Sequence, residues 1–241
     1  SASYNGLELK FEKRTGASGL STLVSYTWSK GLDTLGGRLG SSGDPTGISR
    51  NVSLSSNKGM GEQNPNRFVA NIGYQLPFGP GKPMLTKGFG AAIAGGWSVN
   101  SLLTLQKGYY ITPIIATDRL DVGSTTSSRP DVLRSPNLDA GERTPQRWFD
   151  TTAFTTPAAF RYGNAGRSII EAPGYMNLDL SILRSFRVTE GSRLEFRYEI
   201  FNSLNHTNFS LPGTTFGTAA FGVIGSAFES RDMQFGLKFY F

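Results

Sequence analysis

Cysteine is absent from all 241 residues, which excludes disulfides and thiolate metal sites. Long apolar runs are absent too. No stretch of 18 apolar residues occurs, so no helix of this chain spans a bilayer. Crossing by strands escapes such a scan, because there the hydrophobicity alternates. Charge is sparse at 17%, against roughly 25% in a typical soluble domain. The single histidine, His206, supports no Ser-His-Asp set. There is no GxSxG and no P-loop, and Gly88-Phe-Gly90-Ala-Ala-Ile93 fails the dinucleotide pattern at its last position. Asp118, Asp121, Asp131, Asp139 and Glu142 crowd one stretch, but their spacing matches no EF-hand and they read as a solvated acidic loop. No catalytic residue, cofactor or metal site is expected, and the chain is not expected to be an enzyme. The opening residues lack a basic region and an apolar core, so a signal peptide is either cleaved or not included.

The formal net charge is +6. A nucleic-acid binder clusters its basic residues. Here they are scattered, with acids two residues away, as in Glu8-Leu-Lys10 and Arg193-Leu-Glu195. The pattern is that of a solvated polar face, and no nucleic-acid partner is expected.

Glycine, at 30 residues, and aromatics, at 12%, are both plentiful, a mix that suits strands and turns. Seven segments alternate in polarity over about eleven residues each, at 4–14, 20–30, 66–76, 97–107, 175–188, 192–203 and 231–241. Leu7, Leu9 and Phe11 oppose Glu8, Lys10 and Glu12. Leu194, Phe196, Tyr198 and Ile200 oppose Arg193, Glu195, Arg197 and Glu199. In the last segment Met233, Phe235, Leu237, Phe239 and Phe241 share one side. None of the 12 prolines lies inside a segment, as a strand ladder requires.

A bare, aromatic-rich strand invites aggregation in water. A membrane barrel closes its edges and sets the apolar side against lipid. The fold class expected is therefore all-β, an antiparallel transmembrane β-barrel segment of seven or eight strands. Leu7, Leu9, Phe11, Phe196, Tyr198, Met233, Phe235, Leu237 and Phe239 are the expected lipid-facing residues. Glu8, Lys10, Glu12, Arg193, Glu195, Arg197 and Glu199 are expected to face a wet lumen. A basic residue at the midplane of a barrel's lipid face costs roughly 2–4 kcal/mol. In the lumen such residues pair across neighbouring strands for about 0.2–1 kcal/mol each.

Connections at 15–19, 77–96 and 189–191 are the shorter ones, and they alternate with longer loops at 31–65, 108–174 and 204–230. Outer-membrane barrels sort their connections in this way, with short periplasmic turns and long extracellular loops. The Gly- and Ser-rich stretch 36–47 then faces outside. Seven strands that begin at the cell surface do not complete a bacterial barrel, so residues 1–241 are expected to form the C-terminal part of a larger one. A short eighth strand at 219–228 restores an even number but breaks the loop alternation. Trp28, Tyr26, Tyr109 and Tyr110 fall near outer strand ends, where an aromatic girdle sits. Trp148, Phe149, Phe154 and Phe160 either pack the 108–174 loop or stack on a ligand, which makes Trp148 and Phe149 candidate ligand contacts.

Several stretches together resemble TonB-dependent outer-membrane receptors of the Oar-like subgroup, in their C-terminal barrel region. They are Tyr4-Asn-Gly-Leu-Glu-Leu-Lys-Phe-Glu-Lys-Arg14, Val24-Ser-Tyr-Thr-Trp-Ser-Lys30, Asn66-Arg-Phe-Val-Ala-Asn71 with Tyr74-Gln-Leu-Pro-Phe-Gly79, Gly96-Trp97 with Leu103-Thr-Leu-Gln-Lys-Gly108, Trp148-Phe-Asp-Thr-Thr-Ala-Phe154, Gly163-Asn-Ala-Gly-Arg167 and, best of all, Phe196-Arg-Tyr-Glu-Ile-Phe-Asn-Ser-Leu-Asn-His-Thr-Asn-Phe209. The resemblance implies a 22-stranded barrel in the outer membrane of a Gram-negative bacterium, filled by an N-terminal plug. It implies uptake of a bulky nutrient, energised by TonB acting through the plug. It also implies that Phe241 is a C-terminal signal read by the barrel-assembly machinery. The chain itself has no plug, no TonB box and about a third of the strands, so the implied partners are outer-membrane lipid and the missing plug and strands of a parent protein. A passive porin or structural barrel is the alternative within membranes. A soluble β-sandwich that binds carbohydrate is the alternative outside them.

Overall fold

The structure, a computed structural model, describes residues 2–34, 57–61, 63–121 and 128–241. The stretch 36–47 lies outside them.

Strict alternation of apolar and polar residues produces strands wherever it occurs. The seven long strands are β1 (Ala2–Lys13), β2 (Leu20–Asp33), β3 (Asn66–Gln75), β4 (Trp97–Gln106), β5 (Tyr175–Arg187), β6 (Arg193–Phe201) and β7 (Asp232–Tyr240). Their ends fall within three residues of the expected ones. They pair in sequence order, each antiparallel to the next, and the two-residue strand Gly59–Met60 adds to the end of β2. The sheet is open. Among the described residues β1 and β7 each have one strand neighbour, and they do not pair with each other.

The register keeps the two sides separate across the whole sheet. Leu9 lies opposite Tyr26, Tyr26 opposite Phe68, and Phe68 opposite Leu105. Leu105 is opposite Met176, and further along the strands Ile182 is opposite Tyr198 and Tyr198 opposite Phe235. A slip of one residue at any ladder would mix the faces. Among the described residues nothing covers much of the apolar side: Phe235 is 72% exposed and Leu237 70%. Monomeric soluble proteins rarely expose such a contiguous surface. A β-sandwich buries that side against a second sheet. The remaining sheets among the described residues have only two strands each.

Tight turns close β1–β2, where Gly19 N–H donates to Gly16 O (2.9 Å), and β5–β6, where Val188 N–H donates to Ser192 O (3.0 Å). The third connection at this end, 77–96, carries the short helix α1 (Gly88–Ala94).

The buried core lies at the opposite end, in the long loops. Ile111, Phe149, Ala153, Phe154, Ile170, Ala172 and Phe221 form one cluster. Phe221 comes from the loop after β6 and meets Phe149 and Phe154 edge-on, at 5.0 and 5.3 Å between ring centroids. Such pairs add about 0.5–1.5 kcal/mol each beyond their buried area. The described residues of the loops at 108–174 and 204–230 therefore fold together.

One alternative falls away here, and one sequence expectation changes. The apolar run 219–228 is not a strand; Phe221 and Ile224 are buried instead. Its hydrophobicity serves the loop core. Tyr109 packs against that core, and Tyr110 pairs with Glu171 in a two-residue ladder. Both belong to the folded loops and not to a girdle at the strand ends.

Candidate functional site at the polar face and outer rim

The polar side carries its charges as expected, with Glu8, Lys10 and Glu12 opposite Thr27, Ser25 and Leu23. Their pairing differs from expectation. Lys10 Nζ lies 3.1 Å from Glu12 and Arg14 Nε 3.3 Å from Glu12. Arg197 Nε lies 2.5 Å from Glu195. These pairs run along a single strand at a spacing of two residues and do not cross between strands. On β1 the reason is local, because the strand opposite offers no counter-charge. On β6, Glu195 is opposite Lys238, but the Lys238 ammonium sits 5.0 Å from the Tyr240 ring centroid. Between β6 and β7, Gln234 Nε2 donates to Glu199 at 2.6 Å and the Arg193 guanidinium sits 4.2 Å from the Tyr240 ring centroid.

The outer rim is built by the motifs that stood out in the sequence. In Gly163-Asn-Ala-Gly-Arg167, a Cβ on Gly163 would lie 2.0 Å from Arg129 O, so only glycine lets the two backbones meet. Asn164 Oδ1 accepts from Val132 N–H (2.6 Å), and Asn164 N–H donates to Asp131 Oδ1 (2.8 Å). Arg161 also bonds Asp131. Arg167 reaches out of the loop to the Asp33 carboxylate at the end of β2 and to Gly59 O (3.2 Å).

In Trp148-Phe-Asp-Thr-Thr-Ala-Phe154, Asp150 caps a 3-10 turn over Thr151–Ala153 by accepting from Thr152 N–H at 3.1 Å. Arg134 Nη2 donates to Asp150 at 2.7 Å. The Thr152 hydroxyl, donating at 2.7 Å, is the largest influence holding the Asp150 carboxyl below its ordinary value. Burial opposes this shift, and Arg134 adds to it.

The stretch after β6 pins the other loop. Asn202 N–H donates to Asp179 Oδ1 (2.9 Å), and the Asn202 side chain both donates to His206 O (2.9 Å) and accepts from His206 N–H (3.0 Å). His206 itself is exposed.

Two clefts open on the polar side of this rim. One, of about 820 Å³, is lined by Asn64, Gln106, Tyr109, Tyr175, Leu211 and Phe228 among others. Its neighbour, of about 470 Å³, includes Asn177, Asp179, Asn202, Glu229 and Asp232. Tyr175 and Phe228 border both and meet edge-on at 6.1 Å. Amides, carboxylates and aromatic rings together suit a polar ligand with apolar faces.

The candidate ligand contacts lie elsewhere. Phe149 is 1% exposed in the loop core, where no ligand reaches it without displacing that core. Trp148 lines a third cleft, of about 510 Å³, together with Tyr26, Phe68, Leu105 and Met176 of the apolar side. Its indole N–H is committed to Glu171 O at 2.8 Å. Sequence reasoning missed Tyr175 and Phe228 because their role depends on two loops meeting.

Residues 1–234 match the family described as an outer membrane beta barrel domain. The chain belongs to that family. Its place is accordingly the outer membrane, and the antiparallel sheet is consistent with a barrel domain there. Neither the curated proteins nor the solved structures contain a match to the chain.

Proposed function

We propose that this outer membrane barrel domain is the C-terminal portion of a larger, 22-stranded barrel that serves TonB-dependent uptake of a bulky nutrient. The observation that carries the proposal is the open sheet. Among the described residues β1 and β7 present unpaired ladders at the two edges of a wall with one apolar and one polar face. Bilayers tolerate strands only when every backbone group is paired, so both edges call for further strands. The apolar face, with Leu7, Leu9, Phe11, Phe196, Tyr198, Met233, Phe235, Leu237 and Phe239, then meets lipid. The charged face, with Glu8, Lys10, Glu12, Arg193, Glu195, Arg197 and Glu199, lines a lumen wide enough for water and a plug.

The clefts at Tyr175, Phe228 and Asp179 favour a receptor, because they place ligand-suited side chains at the outer mouth of that lumen. In this reading the domain performs no chemical step. Its partners are lipid, the plug and remaining strands of the parent, TonB through the plug, and the assembly machinery acting at Phe241.

Uptake by cells carrying the complete gene product tests the proposal. Nutrient-dependent import that stops when TonB is depleted supports it. Equal passage of small solutes with and without TonB, from a gene that encodes no plug, makes the protein a passive porin instead.

A further inference from the structure

The connection between β3 and β4 is the one part of the turn end with a built structure of its own. Residues 77–84 form a small loop closed by a parallel bridge between Phe78 and Met84, with Met84 N–H donating to Pro77 O (3.0 Å) and Gly79 N–H to Met84 O (3.1 Å). α1 packs back across it. A Cβ on Gly79 would lie 2.9 Å from Gly95 Cα, and Gly79 has φ +108°, so both the close crossing and the backbone conformation favour glycine.

Two side chains of the apolar face hold the far end of α1. Trp97 Nε1 donates to Ile93 O at 3.0 Å. Arg184 donates to Ala92 O. Arg184 lies opposite Trp97 and Phe196 in the ladders, and is the only charged residue of β5 on that side. Its guanidinium sits 4.1 Å from the Phe186 ring centroid and 5.1 Å from that of Trp97.

The loop and helix nevertheless leave four large apolar side chains in the open. Phe89 is 82% exposed, Met84 54%, Ile93 53% and Leu85 50%. Water gives no reason to hold four such residues out on a twice-tethered element. A lipid interface does, because it buries the apolar side chains while an arginine at the same level reaches headgroup phosphates.

We propose that residues 77–96 form an interfacial anchor that seats in the phospholipid headgroup–acyl boundary of the leaflet on the short-turn side of the membrane. Phe89, Ile93, Leu85 and Met84 enter the acyl region, with Arg184 and Lys87 at phosphate level. The surface is continuous with the apolar strand face through Trp97 and Arg184. This inference therefore rests on that face meeting lipid.

The absence of cysteine allows single nitroxide labels at Phe89→Cys, Ile93→Cys and Phe235→Cys, in protein folded into phosphatidylethanolamine–phosphatidylglycerol vesicles. Collisions with oxygen report lipid, and collisions with a water-soluble nickel chelate report solvent. The anchor predicts labels at 89 and 93 that favour oxygen severalfold, at a shallower depth than the label at 235. A lipid-exposed label at 235 with labels at 89 and 93 open to nickel overturns the anchor and leaves the strand reading intact. Labels at 89 and 93 shielded from both reagents also overturn it, since they then contact protein. Nickel access at all three positions overturns the strand reading and the anchor together.

Discussion

Asn208 behaves as one further residue of the β-ladder. Its side-chain Nδ2 donates to Met176 O at 2.9 Å while its Oδ1 accepts from Met176 N–H at 2.8 Å. β6 has ended by this point, so the amide supplies the pair of bonds a strand neighbour would make to β5. Asn208 is buried, which makes both bonds costly to lose.

Asn208→Ala is expected to leave two backbone groups of β5 unpaired, at about 1–3 kcal/mol for each. Asn208→Asp should fail as well, because a carboxylate accepts from Met176 N–H but opposes Met176 O with a second acceptor. Limited proteolysis of the 204–230 loop is the readout. Both variants should be cut faster than the parent, and an unaffected Asp variant would remove the ladder-mimic explanation.

Asp150 sets a pH dependence for the outer loops. Its carboxyl is held below the ordinary value, and the unfolded value is about 3.9. A depressed folded value means the stabilisation is fully present above about pH 4. It is lost as the pH falls below that and through the folded value. Protection of backbone amides in 131–155 should therefore weaken on acidification below pH 4. Asp150→Asn should show weaker protection at neutral pH and a flatter acid response. An identical acid profile in the two proteins would assign the transition to another group.

Gly163 and Gly141 lie in the same long loop and make opposite predictions. A methyl group at 163 collides with Arg129 O at 2.0 Å and with Pro130 O at 2.4 Å, while at 141 it meets nothing within 4 Å. Gly163→Ala should destabilise the loop core by at least the 1–3 kcal/mol typical of overpacking. Gly141→Ala should be neutral. Near-ultraviolet circular dichroism of the packed Phe149–Phe154–Phe221 rings compares them directly, and equal spectra for the two variants would contradict the close approach.

The barrel wall was legible in the sequence because strand alternation is a local signal. Leu194 to Ile200 announces two faces without reference to any other segment, and the register kept those faces separate. The outer rim was not legible, because its contacts are long-range. Phe221 joins Phe149 across more than seventy residues, Arg167 reaches Asp33, and nothing near either partner marks the meeting. The motifs around Asp150, Asn164 and Asn208 were visible as unusual strings. Their meaning as a cap, a clasp and a ladder substitute needed coordinates. The charge pairs along β1 and β6 show the same limit: alternation placed Glu12 and Arg197 on the polar side, but only the register revealed what stood opposite them.

The apolar face is the central claim, and neighbouring residues of β7 test it most directly. Phe235 lies on the apolar side opposite Tyr198, with the rings stacked at 4.5 Å, while Gln234 points to the other side and bonds Glu199. Phe235→Arg places a guanidinium against acyl chains at a cost of roughly 2–4 kcal/mol near the midplane. Gln234→Arg places the same group in the wet lumen beside a carboxylate. Heat-modifiability on a gel, which separates folded barrel from unfolded chain, is the measurement. The account predicts that the Phe235 variant loses the folded band while the Gln234 variant keeps it; equal folding of the two, or the reverse order, would contradict it.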